Sequence, residues 1–295
     1  MAVLGTLAGA LLVMVALRDV FETILHPQGR GVVSNTMTRA IWRLMRSLVK
    51  GRHAALSLAG PLAFIAVLAA WGTLITVGFA LILWPYFPED FAVAETVTID
   101  GGLDDALYLS MVNLTSLGYG DIVPTGELLR FVGPLETLIG LGLLTAGISW
   151  ILLLYRVLAD YRSLSHEISL LLDEQDATGI RLTAIEPQVA ARALADLTTR
   201  AVAMRDDLVH SPIAYYFHPR DERHALPALL PKLVAVLDDC SAPDRAPALR
   251  FQAGMLRGAI DDLLDTIAED FLSLPSGDTA AALAAYRRDH LWASS

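Results

Sequence analysis

The chain has 295 residues, 54% of them apolar and 18% charged, with a net charge of −10 and a mean hydropathy of +0.50. This is too apolar for an ordinary soluble domain and too acidic for a nucleic-acid-binding protein, and the apolar excess lies in roughly the first 160 residues. Cys240 is the only cysteine, which excludes an intrachain disulfide and suits a reducing compartment.

Residues 1–25 open with an apolar run, Ala2 to Leu17, followed by Arg18, Asp19 and Glu22. Arg18 and Glu22 stand four residues apart, a pairing distance on a helix. No basic stretch precedes the run, so it is not read as a cleaved signal peptide. If residues 2–24 cross the bilayer, the N-terminus is outside and there are three spans; if they lie in the interface, there are two. Crossing is the preferred reading.

Residues 26–53 carry Arg30, Arg39, Arg43, Arg46, Lys50 and Arg52, and no Lys or Arg follows until Arg130. The positive-inside rule makes this segment cytoplasmic. Ser34 to Lys50 predicts an interfacial helix with Arg39, Arg43, Arg46 and Lys50 on one face and Ile41, Trp42, Met45 and Leu48 as its apolar surface. Such a helix lies on the inner leaflet against anionic lipid head groups. It serves either as a topology anchor or as a link passing motion of a cytoplasmic region to the membrane. Its bases are not spaced along an apolar span, so it is not a voltage sensor.

Ala54 to Trp84 contains no charged residue, and at about 1.5 Å per residue it exceeds the roughly 30 Å hydrocarbon core. Pro61, near its start, predicts a kink. Leu128 to Leu154 is a second span, interrupted by Arg130 and Glu136. Between the two, Pro85 to Glu127 carries Glu89, Asp90, Glu95, Asp100, Asp104, Asp105, Asp121 and Glu127 with no Lys or Arg, as expected of an external stretch. Leu103 to Leu114 is apolar at helical spacing but too short to cross, and Asp104 and Asp105 suit its N-terminus. It reads as a re-entrant helix entering from outside.

The next stretch is Asn113-Leu114-Thr115-Ser116-Leu117-Gly118-Tyr119-Gly120-Asp121. A cation stripped of water needs rings of backbone carbonyls turned to one side, and alternating glycines permit this because Gly reaches φ > 0. The segment resembles the selectivity filter of potassium channels, and from about Ala54 to Arg156 the order of helix, short helix, Gly-Tyr-Gly loop and helix is similar to prokaryotic potassium channels of the single-pore-loop class. Here an extra N-terminal span precedes it.

The resemblance implies that Ser116, Leu117, Gly118, Tyr119 and Gly120 bind K+ and that four copies meet on an axis. Ser116 would add a hydroxyl at the inner end, Leu117 and Tyr119 would pack outward against the supporting helix, Asp121 would sit at the outer mouth, and Thr115, Asp121, Tyr108 and Glu136 would support the filter. The family pattern is Thr-Val-Gly-Tyr-Gly-Asp, so Ser116 and Leu117 depart from it, which bears on K+ over Na+ selectivity. The resemblance also implies a Tyr108 to Asp121 hydrogen bond and a hinge at Gly140, twenty residues beyond Gly120. Leu141, Leu144 and Ile148 would then line an inner cavity able to close by dewetting, or make ordinary helix contacts. Glu136, an acid inside a span, is expected to bond filter or pore-helix groups of a neighbouring subunit, or to be hydrated in a crevice.

After Arg156 the composition becomes that of a soluble domain. A helical stripe runs from Tyr161 to Leu172 and breaks at Asp176 to Gly179; further helices are expected at about 187–210, 227–239, 246–272 and 279–290. His210, His218, Asp221, Glu222 and His224 are a candidate sensor cluster without standard metal-ligand spacing. No nucleotide-binding glycine fingerprint appears, and no nucleophile with its base, so the chain is not read as an enzyme.

The expected fold is therefore an all-α membrane protein: an N-terminal span (1–25), an amphipathic helix (26–53), an ion-channel pore domain (54–157) and a helical cytoplasmic domain (158–295). The expected function is a potassium-selective channel subunit in the cell membrane, forming a homotetramer, with K+ as the permeant ion and no cofactor. A nonselective monovalent cation channel and a membrane sensor with a vestigial pore are the alternatives. A potassium-uptake transporter would need four filter-like loops in one chain.

Overall fold

The computed structural model describes residues 2–26, 31–49, 56–219 and 221–291. It is helical nearly throughout, and the chain divides into two compact units, Met1–Ala40 with Ala63–Leu152 and Ile41–Leu62 with Leu153–Ser295. Among the described residues, three helices are long and apolar enough to cross a membrane: Val3–Leu25, Ala59–Tyr86 and Leu129–Thr178.

In the first unit, α1 (Ala2–Val20) runs into one wide turn, Phe21–Leu25. Helix α2 (Val32–Val49) begins in this unit and ends in the second, and α3 (Ala59–Leu83), most of which belongs to the first, ends in a tight turn at Trp84–Tyr86. Helices α1 and α3 approach closely because both are glycine at the contact. A Cβ on Gly9 would come 2.3 Å from the Gly78 carbonyl oxygen, and one on Gly78 would meet Val13 at 2.7 Å. Small residues let backbones meet where lipid supplies no hydrophobic drive. Val13, Ala16, Ile75 and Phe79 form the buried seam beside that crossing. Pro61 does not kink the helix: α3 starts at Ala59, so the proline lies in the first turn, where its missing N–H costs no intrahelical bond.

Beyond α3 the chain forms strand β1 (Phe91–Val93), helix α4 (Leu103–Leu114), strand β2 (Ile122–Pro124) and the 50-residue helix α5 (Leu129–Thr178). The strands pair antiparallel, with Ala92 opposite Val123. Phe87, Phe91, Ala106, Leu109, Ile122 and Leu129 bury together and fix this ribbon against α4.

Helix α5 continues without interruption well past the expected end of the span. At about 1.5 Å per residue it is roughly 75 Å long. It stops at Thr178, where Gly179 takes a left-handed φ of +69°, the usual helix terminator. In the second unit follow α6 (Pro187–His210), α7 (Leu226–Cys240), α8 (Pro247–Ile267, with one wide turn to Leu272) and α9 (Thr279–Asp289). Helices α6 and α8 pack along their lengths, burying Leu194, Leu197, Ala201 and Met204 from one and Ala253, Leu256, Ile260 and Leu263 from the other.

Candidate functional site

The loop after α4 begins as a helix terminus. The Leu117 N–H bonds the Val112 carbonyl and the Ser116 N–H the Asn113 carbonyl, both at 3.0 Å. That pair of bonds is a Schellman cap, and it puts Ser116 in the left-handed position normally taken by glycine, with φ +58°. Two residues on, Gly118 has φ +59°, and two further, Gly120 has φ +74°. Leu117 and Tyr119 between them keep negative φ. Alternation of φ sign over five residues is the backbone pattern a ladder of carbonyls facing one way requires.

The two ends of the loop are held differently. At its C-terminal end, Tyr108 Oη donates to Asp121 Oδ2 at 2.6 Å, and Asp121 Oδ1 accepts the Ile122 N–H at 3.1 Å. The Asp121 carbonyl accepts the Ala94 N–H at 2.9 Å, so the β1–β2 ribbon anchors the loop exit. Asp105 accepts the Asp100 and Gly101 N–H groups at 3.0 and 2.9 Å, which tightens the entry to α4.

At the N-terminal end of the loop, α5 grips the C-terminal half of α4. Glu136 is fully buried; the Ser110 hydroxyl bonds Glu136 Oε1, and Asn113 Nδ2 donates to Oε2 at 3.3 Å. Ser110 Oγ also lies 2.9 Å from the Thr76 carbonyl of α3. One turn on, Thr137 Oγ1 donates to the Asn113 carbonyl at 3.0 Å. Gly140 then gives α5 room to touch the last residue of α4: a Cβ there would sit 2.0 Å from the Leu114 carbonyl oxygen. Helix α5 is regular through Gly140, and what the glycine supplies in this structure is space.

Several expectations change. Glu136 bonds α4 of its own chain, because Ser110 and Asn113 lie three residues apart on the α4 face turned to α5. Leu117 and Tyr119 are not buried against α4 in the single chain but are 54% and 67% exposed. Thr115 turns its hydroxyl back to the Met111 carbonyl at 2.7 Å. Ser116, Gly140, Leu141, Leu144 and Ile148 do come together, lining one open pocket of about 540 Å³ with Phe64 and Leu68.

On α2, Arg39 bonds Asn35 at 3.0 Å and Arg46 pairs with Asp289, while Arg43 is exposed. Lys50 lies outside the described residues. Trp42 does not offer its ring to a leaflet: it is buried, with Tyr216 and His290 against it. The histidine cluster does not assemble either. His210 bonds the Asp206 carbonyl, His218 is buried beside His290, and His224 stands 4.0 Å from Asp221; the Glu222 side chain lies outside the described residues. Among the described residues no three such side chains converge as a metal site.

Sequence reasoning missed Ser110, Asn113 and Thr137, although two polar residues three apart in an apolar short helix are a readable face. It also missed Asp19, which is buried and accepts bonds from Val33, Ser34 and Trp71.

Residues 66–155 match the model of a protein family described as Ion channel, a stretch holding most of α3, α4, the loop and the first half of α5. The chain is also 25% identical, over 277 residues covering 88% of its length and 77% of the other's, to the "Uncharacterized membrane protein YdjJ" of Bacillus subtilis (strain 168). No solved structure matches it. The family match supports an ion channel, in a protein whose apolar helices place it in a membrane.

Proposed function

We propose that this chain is one subunit of a homotetrameric, potassium-selective channel. The carrying observation is the φ alternation at Ser116, Gly118 and Gly120 within a Gly-Tyr-Gly-Asp loop that follows the short helix α4. One chain supplies one such loop, and rings of coordinating carbonyls need four. The exposed Leu117 and Tyr119 are the side chains a neighbouring copy would cover.

In this reading K+ passes Ser116 to Gly120, with Tyr108, Thr115, Asp121 and Glu136 holding the loop's shape. Leu141, Leu144 and Ile148 line the cavity below it, beside Gly140. The acidic stretch from Glu89 to Glu127 faces outward and concentrates cations at its mouth. The basic segment before α3 and the C-terminal helices are cytoplasmic, α1 crosses the cell membrane, and Arg39 and Arg43 meet anionic lipid. No cofactor takes part.

The test is K+-driven flux into liposomes holding the purified protein, with Na+ and Ba2+ as comparisons and Gly118→Asp as control. Ba2+-blocked K+ flux that is lost in the variant supports the channel. Equal Na+ flux selects the nonselective reading, which the departures at Ser116 and Leu117 favour. No flux in any cation means a closed gate or a membrane sensor with a vestigial pore, and truncation after Arg162 separates the two.

A further inference from the structure

Helix α2 is fastened in both halves by carboxylates from elsewhere in the sequence, one buried and one half-buried. At its start, Asp19 of α1, 4% exposed, accepts the Val33 N–H at 2.8 Å, the Ser34 N–H at 3.0 Å and the Trp71 indole N–H of α3 at 2.7 Å. The first two bonds satisfy N–H groups that a helix terminus leaves orphaned, so an aspartate on another helix acts as the cap of α2. In its second half, Trp42 Nε1 donates to Asp289 Oδ2 at 3.0 Å, the Arg46 guanidinium bonds Oδ1, and Tyr215 Oη donates to Oδ2 at 2.7 Å. Asp289 is the last residue of α9. The Trp42 ring is enclosed by Tyr216 at 5.6 Å and His290 at 5.0 Å between ring centres.

The boundary between the two compact units falls inside α2, after Ala40. One unbroken helix therefore has its first residues tied to the membrane-spanning helices and its last to the C-terminal helices. An interfacial helix serving only as an anchor has no need of a buried tryptophan and three donors on one distant carboxylate.

We propose that α2 is the strut through which the C-terminal helical domain controls the pore, with the Asp289 carboxylate as its releasable fastening. The proposal rests on the channel reading of Asn113–Asp121. A shift of α9 pulls Trp42 and Arg46, moves α2 as a rod, and reaches α3 through Asp19 and Trp71. Five residues along α3, the Thr76 carbonyl meets Ser110 on the pore helix, and Ser110 bonds Glu136 of α5. The chain of contacts ends at the groups that hold the inner end of the loop. A spatial chain is not itself evidence of coupling, so the test must read coupling directly.

Full-length Arg46→Gln, Asp289→Asn and their double variant are reconstituted beside the wild type and Gly118→Asp. Amide hydrogen exchange across α2 and K+ and Na+ flux are read on the same preparations. Arg46 is partly exposed, so its substitution leaves the fold intact even where Asp289→Asn disturbs it. The expected result is faster exchange over residues 43–49 in both single variants, with initial K+ flux changed by at least about fivefold at an unchanged K+ to Na+ ratio. The double variant should add little to Asp289→Asn, since both changes break one contact.

Unchanged exchange would show that the fastening does not hold α2, and would overturn the proposal. Faster exchange with wild-type flux would overturn the coupling and leave the channel standing. A wild type that carries no K+, whole or truncated after Arg162, or a Gly118→Asp variant that does, would remove the channel reading and the strut with it.

Discussion

Gly140→Ala tests whether the glycine in the middle of α5 is a spacer. The added Cβ would lie 2.0 Å from the Leu114 carbonyl oxygen, 2.9 Å from its carbon and 3.2 Å from its Cα. All three are backbone atoms, so no rotamer change relieves the clash, and one helix must retreat by about an ångström to restore ordinary contact. Overpacking of this kind costs about 1–3 kcal/mol, and a backbone-on-backbone contact belongs at the upper end. Better helix propensity returns at most about 1 kcal/mol of that.

Leu114 is the last residue of α4 and adjoins Thr115 and Ser116, so the retreat also displaces the N-terminal end of the loop. The control is Gly147→Ala on the same helix, whose Cβ would meet the two Leu68 methyls at 3.3 and 3.6 Å, contacts that a small side-chain rotation relieves. Thermal unfolding in detergent and K+ against Na+ flux should show Gly140→Ala destabilised and less selective, and Gly147→Ala close to wild type. Equal stability and selectivity of the two alanine variants would refute the spacer argument. A Gly140→Ala variant with wild-type stability and selectivity but altered open time would return Gly140 to the hinge role.

Asp19→Ala strands two backbone N–H groups and an indole N–H, at about 1–3 kcal/mol for each donor left unpaired; thermal unfolding should fall by several degrees, and hydrogen exchange at Val33 and Ser34 should speed up. Tyr108→Phe removes the 2.6 Å bond to Asp121, and the expected outcome is a lower K+ to Na+ flux ratio with little change in thermal stability. His290 is buried among Trp42, Tyr215, Tyr286 and His218, and burial, followed by the Arg46 charge, pushes its imidazole down from 6.5 to about 3. Because the folded value is depressed, stability is full above pH 6.5 and falls as the pH drops towards 3, by about 2 kcal/mol at pH 5. His290→Gln should flatten that dependence in hydrogen exchange of α6 and α9, and an unchanged slope would assign the acid sensitivity elsewhere.

What the sequence discloses and what it hides divide along the range of the interactions. The break at Gly179 and the four later helices rest on patterns within one segment, and the structure places them within one or two residues of expectation except where α8 widens after Ile267; the spans depart further, α3 starting at Ala59 and α5 running past Leu154 to Thr178 because the stripe from Tyr161 to Leu172 continues it. The alternation in the loop is legible at Gly118 and Gly120 but not at Ser116, because serine carries no sign of positive φ. The cap bonds from Ser116 and Leu117 back to α4 impose it.

The three buried or semi-buried carboxylates show the limit most clearly. Local charge rules pair Arg18 with Glu22, and the structure has that bond at 2.8 Å on the exposed side; the acid between them, Asp19, is the one that collects donors from α2 and α3. Glu136 was suspect as an acid in a span, yet its partners Ser110 and Asn113 lie more than twenty residues back. Asp289 is separated from Trp42 by 247 residues and looks, in sequence, like an ordinary acid before a histidine. In each case an acid between elements takes two or three N–H or O–H donors, and neutralising any one of them should loosen the pairing of whole helices rather than a single turn. That is why Asp19→Ala is expected to show in hydrogen exchange at the start of α2 and Asp289→Asn over its last residues, whereas loss of the exposed Arg18–Glu22 pair should leave α2 as it is.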